Sequence, residues 1–94
     1  ADAINEKKQI VRVLLQMRDL DNAIAEMHQI YGLDQNDTDN LFQLGDALMR
    51  RKEYEQAVRI YGRLAKIPNI ETERVEALQA AAKRMYDQQV SQGS

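Results

Sequence analysis

The sequence predicts an all-α fold in a single domain, and three observations support this. The chain of 94 residues contains only four glycines and one proline, too few for a fold of short strands joined by many tight turns. Hydrophobic residues make up 44% and charged residues 30% of the chain, which is too apolar for a disordered protein. The hydrophobic pattern at position i also recurs at position i+34, which is typical of stacked helical units.

This shift from i to i+34, one repeat period, aligns residues of the same kind over both halves of the repeated unit. The polar turn at Arg18 and Asp19 aligns with the polar turn at Lys52 and Glu53. The apolar positions align as the pairs Ile10 and Leu44, Val13 and Ala47, Leu14 and Leu48, Leu20 and Tyr54, Ala23 and Ala57, Ile24 and Val58, Met27 and Tyr61, Ile30 and Leu64, and Leu33 and Ile67.

Each unit contains two apolar stripes with the spacing of an amphipathic helix, i, i+3, i+4 and i+7. In the second unit these stripes are residues 41, 44, 45 and 48, and then 54, 57, 58 and 61. The polar stretch 50–53 separates them, so the pattern predicts two antiparallel helices joined by a short turn. The first unit repeats this with core stripes at 10, 13, 14 and 17, and at 20, 23, 24 and 27.

Local signals place the helix ends. Asp19 and Glu53 put a carboxylate where the second helix of each pair begins, which suits the positive end of the helix dipole. Thr38 and Thr72 are expected to cap the third and fifth helices. Pro68 ends the fourth helix, because proline has no N–H to donate. We therefore predict helices at 4–17, 20–31, 38–51, 54–66 and 71–89, the fifth with Val75, Leu78, Ala82 and Met85 inward.

The motif Leu41-x-x-Leu44-Gly45-x-x-Leu48, followed by Tyr54-x-x-Ala57-x-x-x-Tyr61, resembles a tetratricopeptide repeat (TPR). The first unit departs from it, with Val11 where the second unit has Gly45. The resemblance covers residue 4 to about residue 88 and implies a five-helix right-handed α-solenoid with two TPR-type helix pairs. Its parts are repeat 1 at about 4–37, repeat 2 at about 38–70, a C-terminal capping helix at about 71–89 and a tail at 90–94.

The resemblance also implies a function. The first helix of each pair lines a concave groove that binds a peptide or helix of a partner protein, as in a scaffold, adaptor or assembly factor. Apolar contact is expected from Leu15, Phe42 and Met49, and selection of an acidic segment from Lys8, Arg12 and Arg50. The predicted groove residues are Lys8, Arg12, Leu15, Phe42, Asp46, Met49, Arg50, Glu76 and Lys83.

Self-association into a homo-oligomer through the repeat surfaces is the alternative function. The first helix is apolar at 10, 11, 13, 14, 15 and 17, a band wider than one neighbouring helix covers. We therefore expect an N-terminal edge interface that includes Val11 and Leu15 and packs on upstream sequence or on a second copy.

Other classes of function are disfavoured. His28 is the only histidine, cysteine is absent, and both serines lie in the last four residues, so we expect no enzyme, metal site or cofactor. The net charge of −2 disfavours a nucleic-acid partner. No apolar run approaches the roughly 20 residues of a membrane span, so we expect no membrane insertion. The compartment stays open between cytoplasm and periplasm.

Overall fold

The computed structural model describes residues 2–93, apart from the side chain of Asp2, and this range forms five α-helices. The predicted all-α repeat fold is confirmed, and the first four helices lie within two residues of their predicted bounds. The helices are α1 Asp2–Gln16, α2 Leu20–Leu33, α3 Thr38–Arg50, α4 Tyr54–Leu64 and α5 Thr72–Gly93.

The fifth helix is longer than predicted. It continues through residues 90–93, where the sequence analysis placed a tail, while Ser94 lies outside the described residues. No proline or internal glycine interrupts this stretch before Gly93. In addition, Gln89 Nε2 donates a hydrogen bond of 3.0 Å to the carbonyl oxygen of Lys52, which ties the C-terminal half of α5 to the turn before α4.

The helices stack in chain order. Helix α1 packs on α2, α2 on α3, α3 on α4 and α4 on α5. The molecule measures 43 × 32 × 19 Å, so its smallest dimension equals about two helix diameters. Consecutive helix pairs therefore form one row, two helices deep, rather than a bundle around a central axis.

The two helix pairs have the same turn. Arg18 and Lys52 are one repeat period apart, and both adopt the left-handed conformation with φ of 60° and 62°. The next amide donates to a carbonyl five residues back in both turns, from Asp19 to Leu14 and from Glu53 to Leu48, each at 2.9 Å. This hydrogen-bonded ending satisfies the last carbonyls of α1 and α3 and aims α2 and α4 in the same direction.

The helix starts use aspartate rather than threonine. Asp19 caps α2 and Asp37 caps α3, and each side chain accepts a hydrogen bond from a backbone amide of the first turn. The predicted cap at Thr38 is therefore wrong, since this residue is already the first of the helix. The hydroxyl of Thr72 instead donates to the carbonyl of Ile70 at 3.4 Å. A carboxylate accepts a charge-assisted hydrogen bond, which is stronger than one to a hydroxyl.

The contact between α3 and α4 centres on Gly45. The ring of Tyr61 covers this glycine so closely that a Cβ atom built on Gly45 would lie 2.6 Å from Cζ of the ring. Tyr61 is buried among the core residues, and a flat ring cannot bend away. The absence of a side chain at position 45 therefore allows the two helices to approach.

The first helix pair has different residues at the two positions that correspond to Gly45 and Tyr61. Val11 and Met27 occupy the positions of Gly45 and Tyr61 one repeat period earlier, and both lie in the buried core. A branched side chain on α1 here meets an unbranched, adaptable one on α2. Val11 is only 2% exposed, so its predicted place in the N-terminal edge interface is wrong: this position faces the helix of its own pair.

The open edge of α1 is formed by other residues. Ile10, Val13 and Met17, which we predicted to be core residues of α1, are 45%, 52% and 68% exposed. The α3 counterparts of the first two, Leu44 and Ala47, are buried because α2 packs against that side of α3. In the described part of the chain no helix covers the same side of α1.

The Gly45 contact makes a direct prediction. We expect Gly45→Ala to lower the free energy of unfolding by about 1–3 kcal/mol, because the added methyl group overpacks the core against Tyr61. This cost exceeds the gain in helix propensity of about 0.5–1 kcal/mol. Chemical denaturation followed by circular dichroism measures the change.

Gly32→Ala is the matched control. Nothing lies within 4 Å of a Cβ atom built on Gly32, so this substitution adds helix propensity alone and should raise stability by less than about 1 kcal/mol. Tyr61→Leu should also reduce the cost of Gly45→Ala in a double-mutant cycle. Equal effects at the two glycines, or additivity in the cycle, would refute the packing account.

Candidate functional site

A groove runs between α1 and α3, and one residue of α5 also lines it. It has a volume of about 590 Å³, within the roughly 300–1,000 Å³ of ligand pockets. We call it the α1–α3 groove. Its lining residues are Lys8, Arg12, Leu15 and Gln16 on α1, Asp39, Asn40, Phe42 and Gln43 on α3, and Arg74 on α5.

Lys8 has a structural partner. Its Nζ lies 2.6 Å from Oδ2 of Asp37, and the other carboxylate oxygen of Asp37 accepts the amide of Asn40 at 3.1 Å. The pair thus connects α1 to the start of α3, and both side chains are partly shielded from solvent. The ion pair therefore joins the two helices and neutralises much of the Lys8 charge.

Arg12 and Arg74 supply the remaining positive charge of the groove. Arg12 is exposed and has no ion pair within residues 2–93. Arg74 lies over the ring of Phe42, with Cζ 4.5 Å from the ring centroid, in a cation–π contact. Its ion pair with Glu71 is long, at 3.8 Å. The two guanidinium groups thus line one groove together with an aromatic ring.

Asn40 forms the buried edge of the groove. It is 2% exposed, and its Nδ2 donates a hydrogen bond of 3.0 Å to the carbonyl oxygen of Met27 in the middle of α2. This bond joins α3 to the preceding helix pair. In the described part of the chain, the Oδ1 atom of Asn40 has no hydrogen-bond partner.

Three predicted groove residues lie further along α3. Asp46, Met49 and Arg50 follow Phe42 at intervals that keep them near the same face of the helix, beyond the lining of the α1–α3 groove. Asp46 and Arg50 form an exposed ion pair of 3.1 Å. Arg50 therefore offers less free charge to a partner than expected, whereas half-buried Met49 extends the apolar surface.

Tyr61, a core residue of α4, interacts electrostatically with charged residues of α3 and α5. Burial raises the pKa of Tyr61 above 10.0, the nearby Asp46 carboxylate raises it further, and Arg74 lowers it. The phenol lies against Gly45, the residue before Asp46. The ring that packs on Gly45 is thus influenced both by Asp46 on α3 and by Arg74 of the groove lining.

The structure corrects the predictions for α5. Lys83 lies in a separate depression with Glu55, Val58 and Arg59 of α4, not in the α1–α3 groove. Glu76 is exposed and lies about 200° around the helix from Arg74, outside the groove lining.

Arg74 is the basic groove residue that the sequence analysis missed, and Asn40 and Gln43 of the groove lining were missed as well. A signal for it existed: position 74 lies one repeat period beyond Asn40, which faces the preceding helix pair. Applying the repeat to Asn40 itself would have placed Arg74 on the side of α5 that faces the preceding helix pair.

The remaining chemistry of residues 2–93 is limited. His28 is exposed on α2, and within that range no group of three acidic or histidine side chains could hold a metal ion. None of the helices in that range has the length and apolar character needed to span a bilayer.

The fold and the comparisons agree on the class of protein. Helix pairs repeated at a fixed period and stacked in one row define a helical-repeat protein. The family model for the tetratricopeptide repeat matches residues 14–82, which is 69 of the 94 residues. The chain therefore belongs to the tetratricopeptide repeat family, whose repeats generally mediate protein–protein interaction and are typically non-catalytic. A search of curated proteins gives no significant match.

The raised pKa of Tyr61 gives a pH prediction. Because the native state holds the Tyr61 proton above pH 10.0, the contribution of this group to stability is constant below that pH. It decreases as the pH rises through the native pKa. Tyrosinate absorbance is titrated for the native chain and for Tyr61→Phe over the pH range in which circular dichroism shows that both stay folded. The difference between the two absorbance curves reports Tyr61 and should have its midpoint above pH 10.0.

Asp46→Asn separates the causes of this shift. It removes the carboxylate that raises the pKa, so the Tyr61 midpoint should move down while burial keeps it above the ordinary value. Lys66→Gln, which changes an exposed charge in the turn after α4, should leave the midpoint in place. A Tyr61 midpoint at or below pH 10.0 would contradict the structure.

Proposed function

We propose that the α1–α3 groove binds an acidic, amphipathic segment of a partner protein, and that the chain acts as a non-catalytic scaffold, adaptor or assembly factor. The observation that carries this proposal is the arrangement of Arg12, Phe42 and Arg74. Two cations and an aromatic ring share one concave surface, which matches a segment that carries carboxylates beside an apolar side chain.

The charge of the groove supports an acidic partner. Asp39 is the only acidic residue among the nine that line it, against three basic ones, of which Lys8 is already paired with Asp37. The chain as a whole has a net charge of −2. The charge of the groove lining is therefore opposite in sign to the net charge of the chain. Such a local field steers an oppositely charged partner and rejects a basic one.

The apolar surface of the groove supports an amphipathic partner. Leu15 and Phe42 are partly buried, pack against the core and also line the groove. They are therefore held in place before a partner arrives, which reduces the entropy lost on binding. Aromatic and arginine side chains are also the types most often found at the energetic centre of protein interfaces.

Self-association is supported by a different observation. The exposed Ile10, Val13 and Met17 lie on the opposite edge of α1 from its core-facing side, and their burial by a second copy does not require the groove. The two functions are therefore separable by substitution.

The groove proposal can be tested with a displayed library of random peptides. Peptides selected on the native chain should be enriched in sequences that place Asp or Glu next to apolar residues. For such a peptide we expect Phe42→Ala to raise Kd roughly tenfold or more, because it removes the central aromatic contact. Arg12→Glu should raise Kd and weaken its dependence on salt concentration.

Lys66→Glu is the matched control for charge. It makes the same change of two charge units at an exposed position outside the α1–α3 groove, so it should leave Kd nearly unchanged. Thermal melting should show that each variant keeps its helices. Selected peptides without an acidic excess, or equal affinity of the native chain and both folded groove variants, would contradict the proposal.

A further inference from the structure

The outward side of α1 is an apolar surface left uncovered at one end of the row of helices. Ile10, Val13 and Met17 are about half exposed or more, and Leu14 is partly exposed beside them. Glu6 and Gln9 border the same depression. We call this surface the α1 outer face, made of Glu6, Gln9, Ile10, Val13, Leu14 and Met17.

The repeat shows which kind of contact this surface lacks. Shifted by one repeat period, Ile10 and Val13 correspond to Leu44 and Ala47, which are buried in the core on the side of α3 that packs on α2. Large apolar groups thus occupy the positions that contact a neighbouring helix. The α1 outer face has the composition of a helix-packing surface.

A helix packed on this face as α2 packs on α3 would lack one polar contact of that pair. In that contact Asn40 donates from Nδ2 to the backbone carbonyl of Met27 at 3.0 Å. The corresponding residue on α1 is Glu6, and an ionised carboxylate has no proton to donate. An α2-like helix would therefore lose the hydrogen bond that Asn40 makes in the contact between α2 and α3.

The charges that border the face are instead self-complementary. Glu6 lies near one end and Arg18 follows the other, and both are exposed without an ion pair in residues 2–93. Twelve residues separate them, which is roughly 18 Å if measured along a helix. Arg18 lies in the turn just after α1, and the midpoint between the two residues falls next to Val13. When two α1 helices cross in antiparallel orientation about that midpoint, each Glu6 approaches Arg18 of the partner subunit.

We propose that a second copy of this chain covers the α1 outer face, forming a two-fold dimer of antiparallel α1 helices. Ile10, Val13 and Met17 of each copy pack together, Val13 lies close to the axis, and two symmetric pairs form between Glu6 and Arg18. A two-fold interface uses the same patch on both copies, which is what the order acidic, apolar, basic along α1 provides.

The size of the face sets the expected strength of the dimer. One helix face of four turns buries on the order of 1,000 Å² in total when paired, at the lower end of specific interfaces. The dimer should therefore be weak and reversible, with Kd in the range of tens to hundreds of micromolar. A groove opening on the other flank of α1 stays free for the partner segment.

Sedimentation measures this directly. Between about 5 µM and about 1 mM, a range that brackets the expected Kd, the native chain should shift from monomer to dimer. Val13→Glu should raise Kd at least tenfold, because it sets two carboxylates beside each other at the axis. Since Val13 is about half exposed, the variant should keep its helicity. A native chain that stays monomeric at the highest concentration would overturn the proposal and assign the face to another occupant.

A charge exchange tests the antiparallel pairing. Glu6→Lys places an ammonium group beside Arg18 of the partner subunit and should weaken the dimer several-fold, as should Arg18→Glu. The double variant restores opposite charges and should recover most of the affinity. Double-variant dimers no stronger than those of the single variants would overturn this orientation.

A cysteine near the axis gives a second measure. The chain contains no cysteine, so Val13→Cys introduces a single thiol that a short bifunctional maleimide should link between copies. Ala25→Cys, exposed on α2, is the matched control and should give little cross-linked dimer. Equal cross-linking at both positions would refute the α1 interface. Phe42→Ala should leave dimerisation unchanged, so failure here and failure of groove binding are separate results.

Discussion

The close approach of α3 and α4 at Gly45 is the contact on which the shape of this molecule depends. Because no side chain stands between the helices, the ring of Tyr61 lies directly on the backbone of α3. This sets the spacing within the second helix pair and places the phenol beside Gly45, the residue before Asp46. Burial and the Asp46 carboxylate raise the pKa of Tyr61, whereas Arg74 lowers it. Core packing and the position of the groove residues are therefore linked through one aromatic ring.

Charge in this protein is divided between structure and surface. Lys8 is paired with Asp37, and Arg50 with Asp46. Lys8 therefore connects α1 to the start of α3, whereas the ion pair of Arg50 lies within α3. Arg12 and Arg74 are the groove cations whose charge is less neutralised by carboxylates of the chain. The distinction depends on which carboxylate each cation reaches, because an ion pair already formed within the chain must be broken or shared before it attracts a partner.

The two ends of the row differ in chemistry. Helix α1 leaves an apolar face uncovered, whereas α5 exposes mainly charged and amide side chains. Val90 and Met85 are the exposed large apolar residues of the described part of α5, and Met85 had been predicted to face inward. A repeat buries its apolar surface only against a neighbour, and a terminal helix with a polar outer face ends the stack. The C-terminal end of the row thus has the surface of a cap, and its N-terminal end has the surface of a contact.

The amino-acid sequence by itself determined the helices, their pairing and the repeat, because these follow from apolar spacing along one chain and from the fixed period at which that spacing recurs. The resemblance to the tetratricopeptide repeat also placed Lys8, Arg12, Leu15 and Phe42 together along one groove, whose lining includes all four. Only the tertiary structure decided which flank of each helix is covered. Val11 is buried while Ile10, Val13 and Met17 are exposed, Arg74 reaches Phe42, and Lys83 turns to α4. Apolar periodicity indicates that one side of a helix is buried. Whether the residues at the edges of that side are buried depends on which neighbouring helices are present and how closely they approach.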